Sequence, residues 1–576
     1  MRCKDKVNRT CAAAIAALLI LGLLAACGPT AAPSSPPPPT KPQATAALTA
    51  APATTATPAP TATPTPQPVM VSLEGLPEAY AEPLRSALAG ISSVGSRPVQ
   101  VATDAAAATV RLALVPLPVA QHPLAERFYA VVVPFATVTD DIALDELRGE
   151  WAGFSSRGIL YVTQDAADDL AAVLGSQRNA EIVPAEEMLA RLEAAPLAAG
   201  IVPFDRLDPR FKVLTVDGVN VLDNHLDALT YPLAVGIAVE GADAALIADG
   251  LADAIQPRTN RDPAKITTLI MTGVTAMTRV TALKMEQKGY TYPAEIISAT
   301  LSAADITHVS NEVPFIPGCK VNATEGNLTM CSDTTYWAAL EAIGTDIVGL
   351  SGNHVNDFGA DGARISINWY RSNNIPIYGS GMNTAEACAP LMWEHNGNTF
   401  AFLAALAFDP WYAWASDTEP GACYYYDNKE TFLQSVRELS QQVDIVAVEL
   451  QYYETYNPYP TDRQVVEFRE LRDAGAKIVT GVQSHVPQAM EPYGVSDTGG
   501  PGIISYGLGN LFFDQMWSWA TRTELYARHT IYDGQVLSTE ILTGVLEDYA
   551  QPRWTTPQER AELLQSIFDA APERSQ

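Results

Sequence analysis

The chain has 576 residues, with 36 Lys and Arg against 65 Asp and Glu, a formal net charge of −29 at pH 7. At roughly 100–200 residues per domain this length asks for two or three domains, and 47% hydrophobic residues exclude global disorder. The acidity excludes a nucleic-acid binder and weighs against charge-driven docking on anionic lipid, while seven cysteines without zinc-finger spacing exclude a disulfide scaffold or zinc module.

The first elements concern export. Arg2, Lys4, Lys6 and Arg9 precede an apolar run over residues 12–26, too short for a spanning helix, which stops at Leu24-Ala25-Ala26-Cys27. That end resembles a bacterial lipobox. Residues 1–27 therefore read as a lipoprotein signal peptide with Cys27 as the acylation site; an ordinary signal peptide with an incidental cysteine is the alternative. Residues 28–70 are rich in Pro, Thr and Ala and almost uncharged, so they read as a disordered tether sampling polyproline II. The expected location is extracytoplasmic, lipid-anchored to the cell membrane. In that oxidising setting Cys319, Cys331, Cys388 and Cys423 are expected to form disulfides. Of the three connectivities open to them, Cys319–Cys331 with Cys388–Cys423 closes the shortest loops.

From 71 to 255, Ala/Leu-rich helical stretches alternate with short β runs at 110–115, 128–135, 159–162, 200–203 and 212–216, a pattern of α/β layering. The phrases Tyr129-Ala130-Val131-Val132-Val133-Pro134, Val213-Leu214-Thr215-Val216-Asp217-Gly218 and Tyr231-Pro232-Leu233 resemble the type II periplasmic substrate-binding fold, phosphate-binding group. No Ser/Thr/Gly cluster opens a helix to mark an anion pocket, so a structural or docking lobe stands beside a ligand trap as a reading.

Between 262 and 555, β-branched runs at 267–271, 305–309, 346–350, 444–450, 477–480 and 503–506 each lead into a polar loop. The loops include Ser310-Asn311-Glu312, Ser351-Gly352-Asn353-His354-Val355-Asn356-Asp357, Gln451-Tyr452-Tyr453-Glu454, Gln483-Ser484-His485 and Gly509-Asn510. Polar residues recurring at the C-terminal ends of strands lie where an α/β sheet binds ligands. Residues 556–576 read as a C-terminal helix and tail.

In order, these segments resemble the CapA family of capsule and poly-γ-glutamate synthesis proteins, which implies a calcineurin-like metallophosphoesterase α/β sandwich. The resemblance implies metal ligands at several strand ends, holding two ions about 3.5–4 Å apart. Here the chain departs from the pattern. Val274 stands at the carboxylate of the first motif, Gln451 and Val482 stand at histidines, and the Asn of a third motif is displaced to Asn311. The remaining donors are Asn353, His485 and Glu312 as metal ligands and His354 as the catalytic candidate, with Asp357, Glu454 and Asn510 in support. Asp357 also reads as a turn or helix-capping residue. His354 reads equally as a loop-fixing hydrogen-bond hub, and His308 and His395 read as incidental.

This donor set argues against a two-metal centre and leaves room for one divalent ion, Mn²⁺, Zn²⁺ or Mg²⁺. The function expected is a lipid-anchored CapA-like protein assisting capsule or poly-γ-glutamate synthesis or retention, with a degenerate site and a leaning away from catalysis. Its partners would be the membrane and the capsular polymer or its synthesis machinery. Two other readings are a non-catalytic surface binding or scaffolding protein, and a solute receptor working through 71–255.

Overall fold

The computed structural model describes residues 66–154, 158–324, 326–494 and 501–573. The signal-peptide and lipidation readings, with Cys27, lie outside these residues. The tether, expected to run to residue 70, gives way to a strand at Val69.

Eleven strands between Val69 and Glu240 form a mixed sheet. Its spine is His122–Pro134, whose Phe128–Val133 stretch is buried on both faces. The first half of that strand pairs antiparallel with Ala234–Glu240, and the second half with Phe211–Val216 and Ala199–Pro203. Ala234–Glu240 was not anticipated: six of its seven residues are buried, so it lacks the alternation that marks a half-exposed strand. The buried Asp169 carboxylate ties helix Gln164–Leu174 to this sheet, accepting from Tyr129 Oη at 2.5 Å and Tyr80 Oη at 2.7 Å.

The second part is a four-layer α/β sandwich. One sheet runs Ile377–Tyr378, Thr345–Gly349, Ile306–Asn311, Ile266–Thr275, Thr523–Tyr532, Gln535–Glu547 and Gln551–Trp554. The other runs Leu391–His395, Asn398–Leu406, Ile445–Gln451, Ile478–Val482, Gly502–Ser505 and Met490–Tyr493. Strand alternation assigns side chains to the layers. Leu269 and Met271 meet Phe400, Phe402, Ile445 and Ile478 between the sheets, whereas Ile270 packs outward with Met285, Leu340 and Tyr370 of the covering helices. Helices Tyr425–Leu439 and Asp462–Asp473 cover the second sheet through Phe432, Val436, Phe468 and Leu471. The latter opens on a Thr461/Gln464 capping box, whose glutamine also donates to Tyr506 O at 2.8 Å.

The parallel strands of each sheet run the same way, so the ends at Thr275, Asn311, Gly349, Gln451 and Val482 lie on a common rim. Gly273 makes that rim possible. A Cβ there would stand 2.2 Å from Gly509 O, so only glycine lets the Gly509–Asn510 segment cross the strand. The two parts share a core, because Ile266, Tyr532 and Leu537 pack among Phe128, Phe204 and Tyr231. Both disulfides have the short-loop connectivity, Cys319–Cys331 and Cys388–Cys423. The C-terminal helix is Pro557–Asp569.

Candidate functional site

The rim brings most of the expected residues into one hydrogen-bonded constellation. His354, in the loop after Thr345–Gly349, has Nδ1 2.7 Å from Asp357 Oδ2 and Nε2 3.4 Å from Glu312 Oε1. Asp357 is not a helix cap: helix Gly359–Ser372 has no side-chain cap, and Asp357 Oδ2 instead accepts from Met330 N at 2.7 Å. It orients the imidazole and pins a neighbouring loop.

On the opposite side, His485 Nδ1 lies 2.9 Å from Asn510 Oδ1, and its Nε2 stands 3.8 Å from Glu454 Oε1. Between the two histidines runs an amide chain. Gln451 Nε2 donates to Asn353 Oδ1 at 3.2 Å and to Gln483 Oε1, while Gln483 Nε2 donates to Glu454 Oε1 at 3.3 Å. Gln483 and His485 both hold left-handed backbone, φ 87° and 55°. Strained non-glycine residues flanking one serine need surroundings that fix them. Here those are Asn510 and Tyr456, which stacks on the His485 ring at 5.6 Å between centroids.

Charge is distributed unevenly. Burial pushes the Glu312 carboxyl above its ordinary range, against the opposing pull of His354 and His485. Burial also disfavours a charged His354, but the Asp357 hydrogen bond and the carboxylates of Glu312, Asp357 and Glu454 outweigh it, and its pKa rises. Both shifts have one sense: the Glu312–His354 pair holds a proton more tightly than either group in water. Glu454, half-exposed beside His485, is lowered. Thr275 Oγ1, Glu312 Oε2 and Gln451 Oε1 are buried without a hydrogen-bond partner among the described residues. Buried polar atoms are normally paired, so these three are open to a further partner.

Two positions carry no donor. Val274 and Val482 are fully buried in a small apolar cluster with Ala276, Val313, Met330 and Phe513. Valine ligates nothing, the His354 nitrogens face Glu312 and Asp357, and the Asn353 oxygen is engaged by Gln451. Among the described residues, no group of three or more His, Cys, Asp or Glu is arranged to hold a metal ion. The residues present do not fit a two-metal centre. What they offer is a buried acid–base pair, an ionised carboxylate and a rim of hydrogen-bonding amides.

Several contributors escaped the sequence reading. Gln483 links the two halves of the rim; its only sequence signal was its place two residues before His485. Arg279 and Asp514 form a buried pair with Arg279 Nε 3.1 Å from Asp514 Oδ1, and the guanidinium lies 4.9 Å over the Phe513 ring. Nothing short of the fold brings residues 235 apart together. His308, read as incidental, is buried with Nε2 2.8 Å from Tyr378 Oη and 3.3 Å from Glu449 Oε2. His395 holds Thr267 Oγ1 at 3.1 Å, away from the rim. Of the aromatic residues, Tyr452 is core, whereas Trp411 (74% exposed) and Tyr459 (59%) face solvent.

The second part of the chain is thus a two-sheet α/β sandwich with its polar groups gathered on one strand-end rim. Residues 268–515 match the family described as bacterial capsule synthesis protein PGA_cap. The chain is 25% identical over 306 residues to the capsule biosynthesis protein CapA of Bacillus anthracis, covering 52% of this chain and 72% of that one. Among solved structures, a 5'-nucleotidase precursor from Thermus thermophilus aligns at a TM-score of 0.30 and 11% identity, covering 51% of this chain and 55% of that one. An ABC-type phosphate transport receptor from Vibrio cholerae aligns at 0.22 and 12% identity, covering 30% of this chain and 85% of that one.

Proposed function

We propose that this chain assists capsule or poly-γ-glutamate assembly at the cell envelope as a binding and positioning protein whose phosphoesterase-type site has lost its two-metal chemistry. The observation that carries the reading is the apolar cluster of Val274 and Val482, at positions where the family resemblance implies ligands. Its CapA-type relative supports the capsule assignment. The retained rim of Glu312, His354, Gln451 and His485 then serves recognition, through hydrogen bonds and one tightly held proton. Lipid attachment at Cys27 and the 28–70 tether would keep the folded part near the membrane. A chain at −29 repels a polyanion, and 0.15 M salt screens this only beyond about 8 Å. The reading therefore places its contacts on the synthesis machinery more than on bare polymer.

The test is complementation of a capsule-forming strain lacking its CapA-type protein, with surface polymer measured. The wild-type chain should restore polymer, Cys27→Ser should not, and purified protein should carry well under one equivalent of Mn, Zn or Mg. Stoichiometric tightly bound metal, with chelator-sensitive hydrolysis of a phosphodiester, would defeat the reading in favour of an enzyme.

A further inference from the structure

Strand Gln535–Glu547 is paired along its length with Thr523–Tyr532 on one side. On the other side Gln551–Trp554 covers only Gly544–Glu547. From Ser538 to Thr543 the outer edge has no strand partner, and these residues line a cavity of about 340 Å³ between the sandwich, strand Phe211–Val216 of the first sheet and helix Pro557–Asp569. That volume falls at the lower end of the roughly 300–1,000 Å³ of small-molecule pockets. Side chains and loop backbone stand in for a neighbouring strand: Arg560 Nη1 donates to Ile541 O at 2.6 Å and Thr555 N to Thr543 O at 3.1 Å.

The wall carries three cations against two anions, and the anions are spent. Asp140 receives Arg560 at 2.7 and 2.8 Å and Lys212 at 2.7 Å. Glu540 receives Arg528 through Nε and Nη2, both at 2.8 Å, and Asn220 at 2.8 Å. Two donors remain. Arg528 Nη1 makes no hydrogen bond among the described residues, and neither does the buried Ser538 hydroxyl. Thr215, Thr539, Thr543 and Thr555 also line the wall, and its apolar part is chiefly Trp554, Leu564 and Phe568. A spare guanidinium donor and an orphaned hydroxyl beside aromatic and aliphatic surface are complementary to an anionic head on an apolar body.

We propose that this seam binds a small amphipathic carboxylate, with its carboxylate on Arg528 and Ser538 and its apolar body against Trp554 and Phe568. A ligand there touches both the first sheet and the sandwich, so it stabilises their junction. This site is separate from the strand-end rim and independent of its reading.

The experiment is thermal unfolding and calorimetric titration of the full chain with 3-phenylpropionate, its neutral counterpart 3-phenylpropanol, and inorganic phosphate. The carboxylate should raise the melting temperature saturably, with the alcohol and phosphate each weaker by about tenfold or more, since a charge-assisted hydrogen bond contributes about 1.5–3 kcal/mol. Ser538→Ala, which removes only the hydroxyl, should weaken the carboxylate by about tenfold. Leu542→Trp should abolish binding by filling the cavity; Arg528→Lys, which keeps the charge opposite Glu540, should weaken it if Leu542→Trp does not fold. Equal binding of acid and alcohol, binding unchanged in Ser538→Ala, or no response of the wild-type chain to 3-phenylpropionate overturns the proposal.

Discussion

Val274 and Val482 come from strands of different sheets and share one buried apolar cluster with Phe513 and Met330. Each lies at the rim end of its strand. The Val274 backbone is fully engaged, its N–H donating to Gly509 O at 3.0 Å and its carbonyl accepting from Leu511 N at 2.8 Å. Changing its side chain therefore alters chemistry while leaving the crossing intact.

The triple substitution Val274→Asp, Gln451→His and Val482→His is expected to raise affinity for Mn²⁺ and Zn²⁺ far above wild type. Without metal the variant should be destabilised by about 3 kcal/mol or more, because a buried carboxylate lacks a partner. Added metal should restore its unfolding midpoint through linkage. Metal analysis after gel filtration, paired with denaturation with and without Mn²⁺, checks both halves. A variant no better than wild type at holding metal would mean that the rim has also lost the geometry of the old site.

His354 offers a second, spectroscopic check. Burial opposes its charge, but the Asp357 hydrogen bond and the surrounding carboxylates raise its pKa above 6.5. A raised histidine contributes stability that is complete below its unfolded value and lost as pH climbs through the folded one. Asp357→Asn should lower the ring's pKa in an NMR titration and reduce stability mainly on the acid side of neutrality. Equal losses at pH 5 and pH 8 would assign Asp357 to holding Met330 alone.

The buried Arg279–Asp514 pair sets a third expectation. Arg279 takes a left-handed backbone, φ 47°, and Asp514 Oδ2 also accepts from Val280 N at 2.9 Å. Asp514→Ala removes the buried carboxylate that pairs with Arg279 and accepts from Val280 N, and should cost about 3–5 kcal/mol in urea denaturation, whereas Arg279→Met with Asp514→Leu should recover most of that loss. Failure of the double variant to recover would show that the backbone bond to Val280, and not the charge pair, is what the carboxylate supplies.

Much of the sandwich was legible in the sequence because its strands are β-branched runs ending in polar loops, and 445–451 and 478–482 lie within a few residues of the reading. The rim's convergence was legible through the ordered loops that hold Glu312, His354 and His485. Three things were not. Strands Asn398–Leu406, Thr523–Tyr532 and Gln535–Glu547 of the sandwich do not figure among those runs. Ala234–Glu240 is buried on both faces and carries no periodic signal. The partners of each polar group depend on register between adjacent strands for Gln451 and Gln483, and on how the two sheets pack for His308 and Glu449, neither of which the local pattern of a strand encodes.

Glu449 gives the last prediction. Gly349 lacks the Cβ that would stand 2.7 Å from Glu449 Oε1, so the carboxyl lies buried against a strand of the facing sheet, accepting from Ser310 Oγ and Ser351 Oγ at 3.1 Å each. Burial pushes it up to about 7, with the two serines opposing. His308, also buried, is held down at about 3 and stays neutral, so it supplies no countercharge. Between the ordinary carboxylate range and about 7, the folded chain keeps a proton that the unfolded chain releases. This contribution to stability is therefore complete below the unfolded pKa and is lost as pH rises through about 7, a swing on the order of 3 kcal/mol. Glu449→Gln removes that titration while preserving the size and acceptor of the group. Its stability relative to wild type should climb from pH 4.5 to about pH 7 and level off above that. The acid-side loss from His308 is common to both proteins and cancels in the difference. A pH-independent difference between the two denaturation midpoints would show that Glu449 is ionised throughout, and that the cluster around Tyr378 holds a charge this account says it excludes.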